Sequence, residues 1–308
     1  MIPKVSVVIA THNHAHFLPE CLASVKAQTY QNYEVIVVNN GSIDNTEEVV
    51  RNLAWDKLRY HYQSDTGSVA GPRNTGIKLA EGDYVAFLDS DDIWHEDKLE
   101  KVMRVFMEKP EIDILSHDVS IFEKGKSDLN IVDRVGPLSE NMFRQLLTVG
   151  NCLNGSATVV AKRVFAKIGG FDESKDFVHA EDYEAWLRIA YHGYNFYFIN
   201  ETLGKWRMHE SNLSNDFGLV CKNWINVLNK YYKKFNVRNP IDRIILRNKS
   251  LSGVHFITAA KHHSQKKYIQ FLVSLAKSFL LSPVHFFKMI YARRIEKRSG
   301  IIGNCVQK

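Results

Sequence analysis

Cysteines are few in this sequence, and none lies close to another. The chain has four in 308 residues, with no CxxC pair and no Cys/His cluster: Cys21, Cys152, Cys221 and Cys305. Disulfide frameworks and zinc sites require cysteines at short, regular spacings, so the sequence favours neither. We expect all four to be reduced thiols.

Long apolar runs are also lacking. The first four residues do not have the basic, apolar and small-residue order of a secretory signal, and they lead directly into a strand-like run. In residues 261–308 the longest uncharged stretch, residues 278–287, has ten residues. A bilayer requires roughly 20 apolar residues in a helix, so this stretch is too short to cross one. These absences predict a cytoplasmic protein.

Acidic residues are almost missing from the C-terminal region. Residues 217–308 contain 18 Lys and Arg but 2 Asp and Glu, whereas residues 1–216 contain 22 and 32, for a total net charge of +6. Such asymmetry suggests two regions with different partners. We predict a catalytic domain over 1–216 and a basic helical region over 217–308.

The N-terminal part of the sequence contains alternating strand and helix patterns. Residues 5–10, 33–38 and 84–88 are apolar runs typical of strands buried on both faces. Apolar residues at helical spacing follow each of them: Leu18, Cys21, Leu22 and Val25, then Val49, Val50 and Leu53, then Leu99, Val102, Met103 and Phe106. This alternation predicts a three-layer, Rossmann-like α/β domain with a mostly parallel sheet, followed by a C-terminal helical extension.

Polar clusters stand where these strands end. They are THN at 11–13, NNGS at 39–42 and DSDD at 89–92. In open sheets of this kind ligands bind beyond the carboxyl ends of the strands. The three loops therefore predict one shared crevice.

Asp89, Asp91 and Asp92 place three carboxylates within four positions. Like charges so close repel one another unless a cation compensates them, and hard oxygen ligands suit Mn²⁺ or Mg²⁺, which would bridge to a diphosphate. The alternative is that Asp92 caps a helix starting near His95.

The order of motifs resembles that of the family 2 glycosyltransferases, which have the GT-A fold and a DXD motif. The matching segments span residues 4 to 215: VSVVIATHN (5–13), VVNNGSIDNT (37–46), AGPRNTG (70–76), FLDSDD (87–92), GGFDE (169–173) and EDYEAWLR (181–188), with KWRMHESN (205–212) like the closing segment. The resemblance implies a nucleotide-binding half over about 1–115 and an acceptor-binding half over about 116–216.

The resemblance also implies roles for individual residues. Nucleotide-sugar contacts are expected from Thr11, Asn13, Asn39, Ser42, Arg73, Asp89, Ser90 and Arg207. Asp91, Asp89 and His209 are the expected metal ligands. The family usually has an aspartate where this chain has Asn39; its amide oxygen is still able to accept the N3–H of a uracil-like base. Uridine or thymidine is therefore the expected nucleoside, with a UDP-sugar as the favoured donor.

Sugar transfer also requires a base for the acceptor hydroxyl. Asp182, with Glu181 beside it, matches the family's catalytic position, and the resemblance implies direct displacement with inversion. Without the resemblance, these two acids would be read as charges that complement a helix N-terminus. Trp186 and Trp206 are candidates either for stacking on a sugar or for core packing.

The basic region leaves two interpretations open. Its positive charge and apolar faces suit adhesion to an anionic membrane at the inner face of the plasma membrane, where a lipid-linked saccharide would be the acceptor. Equally, it is able to cap the domain. Two rival functions are a metal-dependent nucleotidyltransferase and a nucleic-acid-binding protein that uses Tyr231, Tyr232 and Phe235. We expect no nucleic acid as a partner, because the acidic residues of 1–216 would repel its phosphates.

Overall fold

The computed structural model describes residues 2–123, 131–213, 216–234, 240–299 and 301–303. Its strands form one curled sheet: Val5–Thr11 (β1), Tyr33–Asn40 (β2), Leu58–Gln63 (β3), Tyr84–Asp89 (β4), Ile93–Trp94 (β5), Ile114–Glu123 (β6), Ile131–Arg134 (β7), Val159–Ala161 (β8), Phe196–Met208 (β9) and Ile301–Gly303 (β10). Its helices are Leu18–Lys26 (α1), Thr46–Arg51 (α2), Ala70–Leu79 (α3), Lys98–Glu108 (α4), Met142–Val149 (α5), Lys162–Ile168 (α6), Glu181–Tyr191 (α7), Phe217–Lys234 (α8), Pro240–Ser264 (α9), Tyr268–Leu281 (α10) and Pro283–Ser299 (α11).

The first half of the sheet is parallel. Its strand order is β3-β2-β1-β4, and the antiparallel β8 then joins β4 to β6. The long strand β9 runs parallel to β6 and antiparallel to the short β5, which follows the acidic loop. The three strands predicted from apolar runs are confirmed as β1, β2 and β4.

Helices cover both faces of this sheet, as predicted for three layers. On one face α1 and α4 bury Leu18, Leu22, Leu99 and other apolar side chains against β1, β2 and β4. On the opposite face α3 and α5 to α9 contribute to a second apolar core. The helical spacings predicted in α1 and α4 are confirmed, because every apolar position in both stripes is buried.

A glycine sets the distance between α3 and the sheet. A Cβ built on Gly76 would lie 2.3 Å from Cγ1 of Val8 in β1, which is far closer than carbon atoms approach. Only a residue without a side chain lets the helix lie this close to the strand. The AGPRNTG segment therefore has a packing requirement as well as polar side chains for the site.

The C-terminal region packs onto the preceding part of the chain. Val227, Leu228 and Tyr231 of α8 belong to the same apolar core as α7, so this part of the region packs onto residues 1–216. The predicted C-terminal helical extension is confirmed as α8 to α11. The short strand β10, which the sequence did not indicate, follows these helices and pairs in parallel with β7.

Within the described ranges, no single helix is long and apolar enough for a membrane crossing; α10 with the first part of α11 passes that test only as a pair bent by 120°. Cys21, Cys152 and Cys221 are free, buried thiols, as predicted. Cys305 and Phe235 lie outside the described residues.

Candidate active site

The register of the sheet brings the predicted loops together. Thr11 pairs with Asn39, and Ala10 pairs with Asp89, so β1, β2 and β4 end at the same edge. An open cleft of about 720 Å³ lies there. Eight of the predicted site residues line it: Thr11, Asn13, Arg73, Asp89, Ser90, Asp91, Glu181 and Asp182.

Asp91 lines the cleft and contacts His209, which is outside the residues that line it. His209 Nε2 lies 2.8 Å from Oδ2 of Asp91, and Asn212 Nδ2 lies 3.5 Å from the same oxygen. In the described part of the chain no three His, Cys, Asp or Glu side chains are arranged as a metal site. The third predicted ligand, Asp89, is directed to Arg73 instead.

Arg73 connects two of the predicted acids. Its guanidinium is buried and donates to Asp89 at 2.7 Å and to Glu181 at 3.0 Å. Burial disfavours its positive charge, but the two carboxylates outweigh this effect and raise the pKa of Arg73 above its ordinary value. The arginine therefore stays charged and ties the end of β4 to the start of α7.

Glu181 and Asp182 lie in the first turn of α7, which begins at the predicted residue. Burial raises the pKa of Asp182 to about 6, with a further contribution from the neighbouring Glu181. Asn151 Nδ2 donates to Asp182 Oδ2 at 3.1 Å, which orients the carboxylate. The pKa of Glu181 is also raised, mainly by burial, while Arg73 opposes the shift.

Asp92 does not cap a helix. The helix after the acidic loop begins at Lys98, and the side chain of Asp92 is buried. It accepts a hydrogen bond from Ser156 Oγ at 2.5 Å and another from the backbone N–H of Arg207 at 2.9 Å. The capping alternative is therefore wrong, because Asp92 joins the acidic loop to β9.

Arg207 lies behind the cleft wall. Its guanidinium is buried, donating through Nε to the carbonyl oxygen of Asp91 at 2.7 Å and through the terminal nitrogen to Glu20 at 2.6 Å. It also lies over the rings of Phe17 and Phe122. This geometry holds the backbone of the acidic loop and does not present the charge to the cleft.

Asn39 and Ser42 are likewise outside the residues that line the cleft. Asn39 Oδ1 accepts the backbone N–H of Ser42, and its Nδ2 donates to the hydroxyl of Tyr60. Ser42 Oγ in turn accepts the backbone N–H of Asn13 at 2.9 Å. These contacts fix the loop after β2 against the loop after β1.

Three residues of the site were not anticipated. His14 contacts Ser90 Oγ through Nδ1 at 2.8 Å, Asn151 contacts Asp182, and Ser156 contacts Asp92. His14 follows β1, so its place after a strand end was a usable signal. The other two lie in irregular segments with no motif to indicate them.

The two tryptophans have different environments. Trp186 is fully buried against Phe87 and Phe171, so it packs in the core and is not available for stacking on a sugar. Trp206 lines the cleft.

The parallel half-sheet, the helices on both faces and the acidic cleft at the carboxyl ends of β1, β2 and β4 define a transferase domain of the GT-A type. Comparison with known proteins identifies the family: the chain belongs to glycosyl transferase family 2, whose model matches residues 6–168. It is a glycosyltransferase.

Bacterial relatives agree with this assignment. Uncharacterized glycosyltransferases of Rickettsia typhi and other bacteria are 30–31% identical to it, and the chain spans 66% of their length. The UDP-Glc:alpha-D-GlcNAc-diphosphoundecaprenol beta-1,3-glucosyltransferase WfgD of Escherichia coli is 32% identical over 78% of this chain and 89% of that protein.

A solved structure shares the fold. Staphylococcus aureus TarS, residues 1–349 in complex with UDP-GlcNAc, superposes with a TM-score of 0.63 at 17% identity, covering 96% of this chain and 88% of that one. Neither the nucleotidyltransferase nor the nucleic-acid-binding alternative is retained, since the family assignment makes the chain a glycosyltransferase.

Proposed function

We propose that this glycosyltransferase moves a sugar from a UDP-sugar to a hydroxyl of a saccharide or lipid-linked saccharide, with inversion at the anomeric carbon. The observation that carries the proposal is that Asp91, at the end of β4, and Asp182, at the start of α7, line one cleft. Asp91 acts at the leaving diphosphate, and Asp182 acts on the attacking hydroxyl.

The cleft has the volume and the polar side chains that a nucleotide-sugar donor requires. Its volume of about 720 Å³ is within the range of small-molecule sites. Thr11, Asn13 and Ser90 offer polar side chains to the nucleotide, whereas Asn39 and Ser42 shape the loop behind them. A uridine donor agrees with the names of two similar proteins, the UDP-Glc-dependent WfgD and TarS in complex with UDP-GlcNAc.

A divalent cation, Mn²⁺ or Mg²⁺, fits the residues around Asp91. The Asp91 carboxylate and the His209 ring contact each other at 2.8 Å, and they offer the oxygen and nitrogen ligands that Mn²⁺ accepts. Such ions commonly take only one or two protein carboxylates, with phosphate oxygens and water completing the shell. The ion would offset the negative charge of the departing diphosphate. Asp89, held by Arg73, remains available to the ribose or to the ion.

Asp182 is the proposed base. As the acceptor oxygen attacks the anomeric carbon, its proton passes to the Asp182 carboxylate and the bond to the nucleoside diphosphate breaks. A carboxylate with a pKa of about 6 is largely ionised at neutral pH yet basic enough to take this proton. Asn151 and the Arg73–Glu181 pair position it.

The acceptor half, about residues 116–216, contributes Asn151, Asp182 and Trp206 to the cleft. WfgD is named for an acceptor linked to diphosphoundecaprenol, which supports a lipid-linked acceptor here. An enzyme using such an acceptor works at a membrane, so we place this one at the cytoplasmic face of the plasma membrane, with residues 217–308 as the contacting region.

Two substitutions test the assignment. Asp91→Ala should abolish turnover together with metal-dependent nucleotide binding, because it removes the carboxylate that faces the diphosphate. Asp182→Asn should retain nucleotide binding and lose transfer by roughly 10² to 10⁴. The measurements are release of nucleoside diphosphate from a panel of nucleotide sugars with Mn²⁺, and calorimetric titration with UDP with and without Mn²⁺.

Asp56→Asn, which alters an exposed aspartate outside the cleft lining, is the matched control and should behave as the parent chain. Full activity in either site variant would refute the role given to that residue.

A further inference from the structure

Helix α10 buries its polar face and exposes its apolar face, which is the reverse of an ordinary surface helix. Its two fully buried residues are Ser274 and Ser278, whereas Ile269, Leu272 and Leu280 are 77%, 61% and 77% exposed. A helix of a globular protein normally buries its apolar stripe and exposes its polar one. The reversal leaves a large apolar surface on the outside of the protein.

The serines show how this orientation is held. Ser252 of α9 donates to the backbone carbonyl of Ser278, and Ser278 Oγ donates to the carbonyl of Ser252, each at 2.8 Å. Ser274 Oγ lies 3.3 Å from the ring of His262. Small hydroxyl side chains let the two helices approach closely while every buried hydroxyl finds a partner. Helix α10 is therefore fixed to α9 by its polar face.

The exposed surface continues around the bend onto α11. The Phe279 and Phe287 rings, which are 40% and 61% exposed, lie 6.0 Å apart. We call the whole surface the α10–α11 patch; it consists of Ile269, Leu272, Val273, Phe279, Leu280, Val284, Phe287, Ile290 and Tyr291. Of the 21 large apolar side chains exposed in the described ranges, 13 lie between residues 241 and 291. Soluble monomers rarely expose so much contiguous apolar surface without a binding role.

Charge distinguishes the possible occupants of the patch. Residues 243–295 contain ten Lys and Arg and no Asp or Glu. Among them Lys266, Lys267, Lys277 and Lys288 are exposed on or beside the two helices. A second copy of this chain would bring lysines against lysines, whereas an anionic lipid surface complements both the apolar stripe and its charge.

We propose that the α10–α11 patch docks onto an anionic bilayer, with both helices lying in the interface and their apolar side chains immersed between headgroups. The serine face stays on α9, so the helices do not leave the protein to insert. The proposal deepens the proposed function, on which it rests for its purpose: it sets the cleft beside a membrane that carries the acceptor. The docking itself requires neither donor nor catalysis.

The test is sedimentation of the full chain with vesicles in the absence of nucleotide. We expect binding to vesicles of phosphatidylcholine with phosphatidylglycerol, and much weaker binding to phosphatidylcholine alone. Leu272→Ser/Leu280→Ser should weaken binding by more than about tenfold, because two immersed side chains are lost. Lys266→Gln/Lys267→Gln/Lys277→Gln should weaken binding to the anionic vesicles only.

The control is Ile2→Ser/Met107→Ser, which removes two exposed apolar side chains far along the chain from α10 and should leave binding unchanged. Asp91→Ala should also bind vesicles normally, so a failure of the proposed chemistry is told apart from a failure of docking. Equal binding by the Leu272/Leu280 variant, or no vesicle binding by a parent chain that instead forms dimers lost in that variant, would overturn the proposal.

Discussion

At the scale of single residues, the cleft depends on how its carboxylates are neutralised. Arg73 pairs with Asp89 and Glu181, and His209 contacts Asp91. Asp182 accepts hydrogen bonds from Asn151 and from the backbone N–H of Tyr183, and it forms no ion pair with any residue that the structure describes. Burial, with Glu181 beside it, outweighs the opposing effects of Arg73 and of the backbone N–H of Tyr183, and it raises the pKa of Asp182 to about 6. Asp182 therefore combines a raised pKa with a place in the cleft, as a group that takes a proton requires.

The pH dependence of transfer should report this carboxylate. Because the charged form is the base and its pKa is raised, kcat/KM should fall about tenfold per pH unit below about 6 and level off above it. Asn151→Ala removes a hydrogen bond to the charged form, so the acidic limb should move to higher pH. Initial rates between about pH 5 and 8 measure both effects. A flat profile over this range would rule out Asp182 as the titrating base.

The sequence indicated the acids but not their partners. Asp89 and Asp91 follow an apolar strand, so their position at a strand end was predictable. The ion pair of Arg73 with Glu181 joins residues 108 positions apart, and no local pattern encodes such a contact. For the same reason the sequence did not reveal that Arg207 is buried against Glu20, or that the amide of Asn39 is used within its own loop.

At the scale of elements, the contact between α3 and β1 is tightest at Gly76. We expect Gly76→Ala to lower the free energy of unfolding by about 1–3 kcal/mol, because the new methyl group would overlap Val8 and push the helix outward. Chemical denaturation monitored by circular dichroism measures the change.

Gly218→Ala is the matched control. The nearest atom to its added Cβ is 3.7 Å away, at ordinary contact distance, and the residue lies in α8. Alanine has a higher helix propensity than glycine, so this variant should be at least as stable as the parent chain. Equal stability of the two variants would show that the α3–β1 spacing is not restrictive.

Elements with a single dominant period were predictable, and the others were not. Strands β1, β2 and β4 are buried on both faces and are apolar runs interrupted only by Ser6 and Glu34 before their polar ends, while α1 and α4 have clear stripes. Strand β3 has only partly buried and exposed residues, and β9 mixes buried and exposed positions irregularly, so neither has a usable pattern. Helix α10 also has an apolar stripe, but a stripe alone does not say which face meets the protein.

At the scale of the whole molecule, the change in charge at residue 217 does not coincide with a break in packing. Glu184 of α7 is buried and accepts hydrogen bonds from Lys230 and Tyr231 of α8, at 2.7 and 2.8 Å. A common apolar core spans the same boundary. The charge composition of a region indicates which partners its surface binds, whereas the apolar core determines which elements fold together.

The full chain should therefore unfold in one transition that includes α8 and α9. Scanning calorimetry is the measurement, with the calorimetric and van't Hoff enthalpies expected to agree. A chain ending at residue 216 should be strongly destabilised, because Glu184 would lose both partners and the apolar core its cover. Two resolved transitions in the full chain would instead establish independent domains.

The position of β9 has a consequence for synthesis of the protein on the ribosome. The acidic loop at 89–92 is translated early, yet its backbone is held by Arg207 and its Asp91 contacts His209, both more than a hundred residues later. A nascent or prematurely terminated chain that stops short of β9 has the donor-side acids without the strand that holds them. Under the proposed function, such fragments should neither bind nor cleave a nucleotide sugar until translation has passed His209.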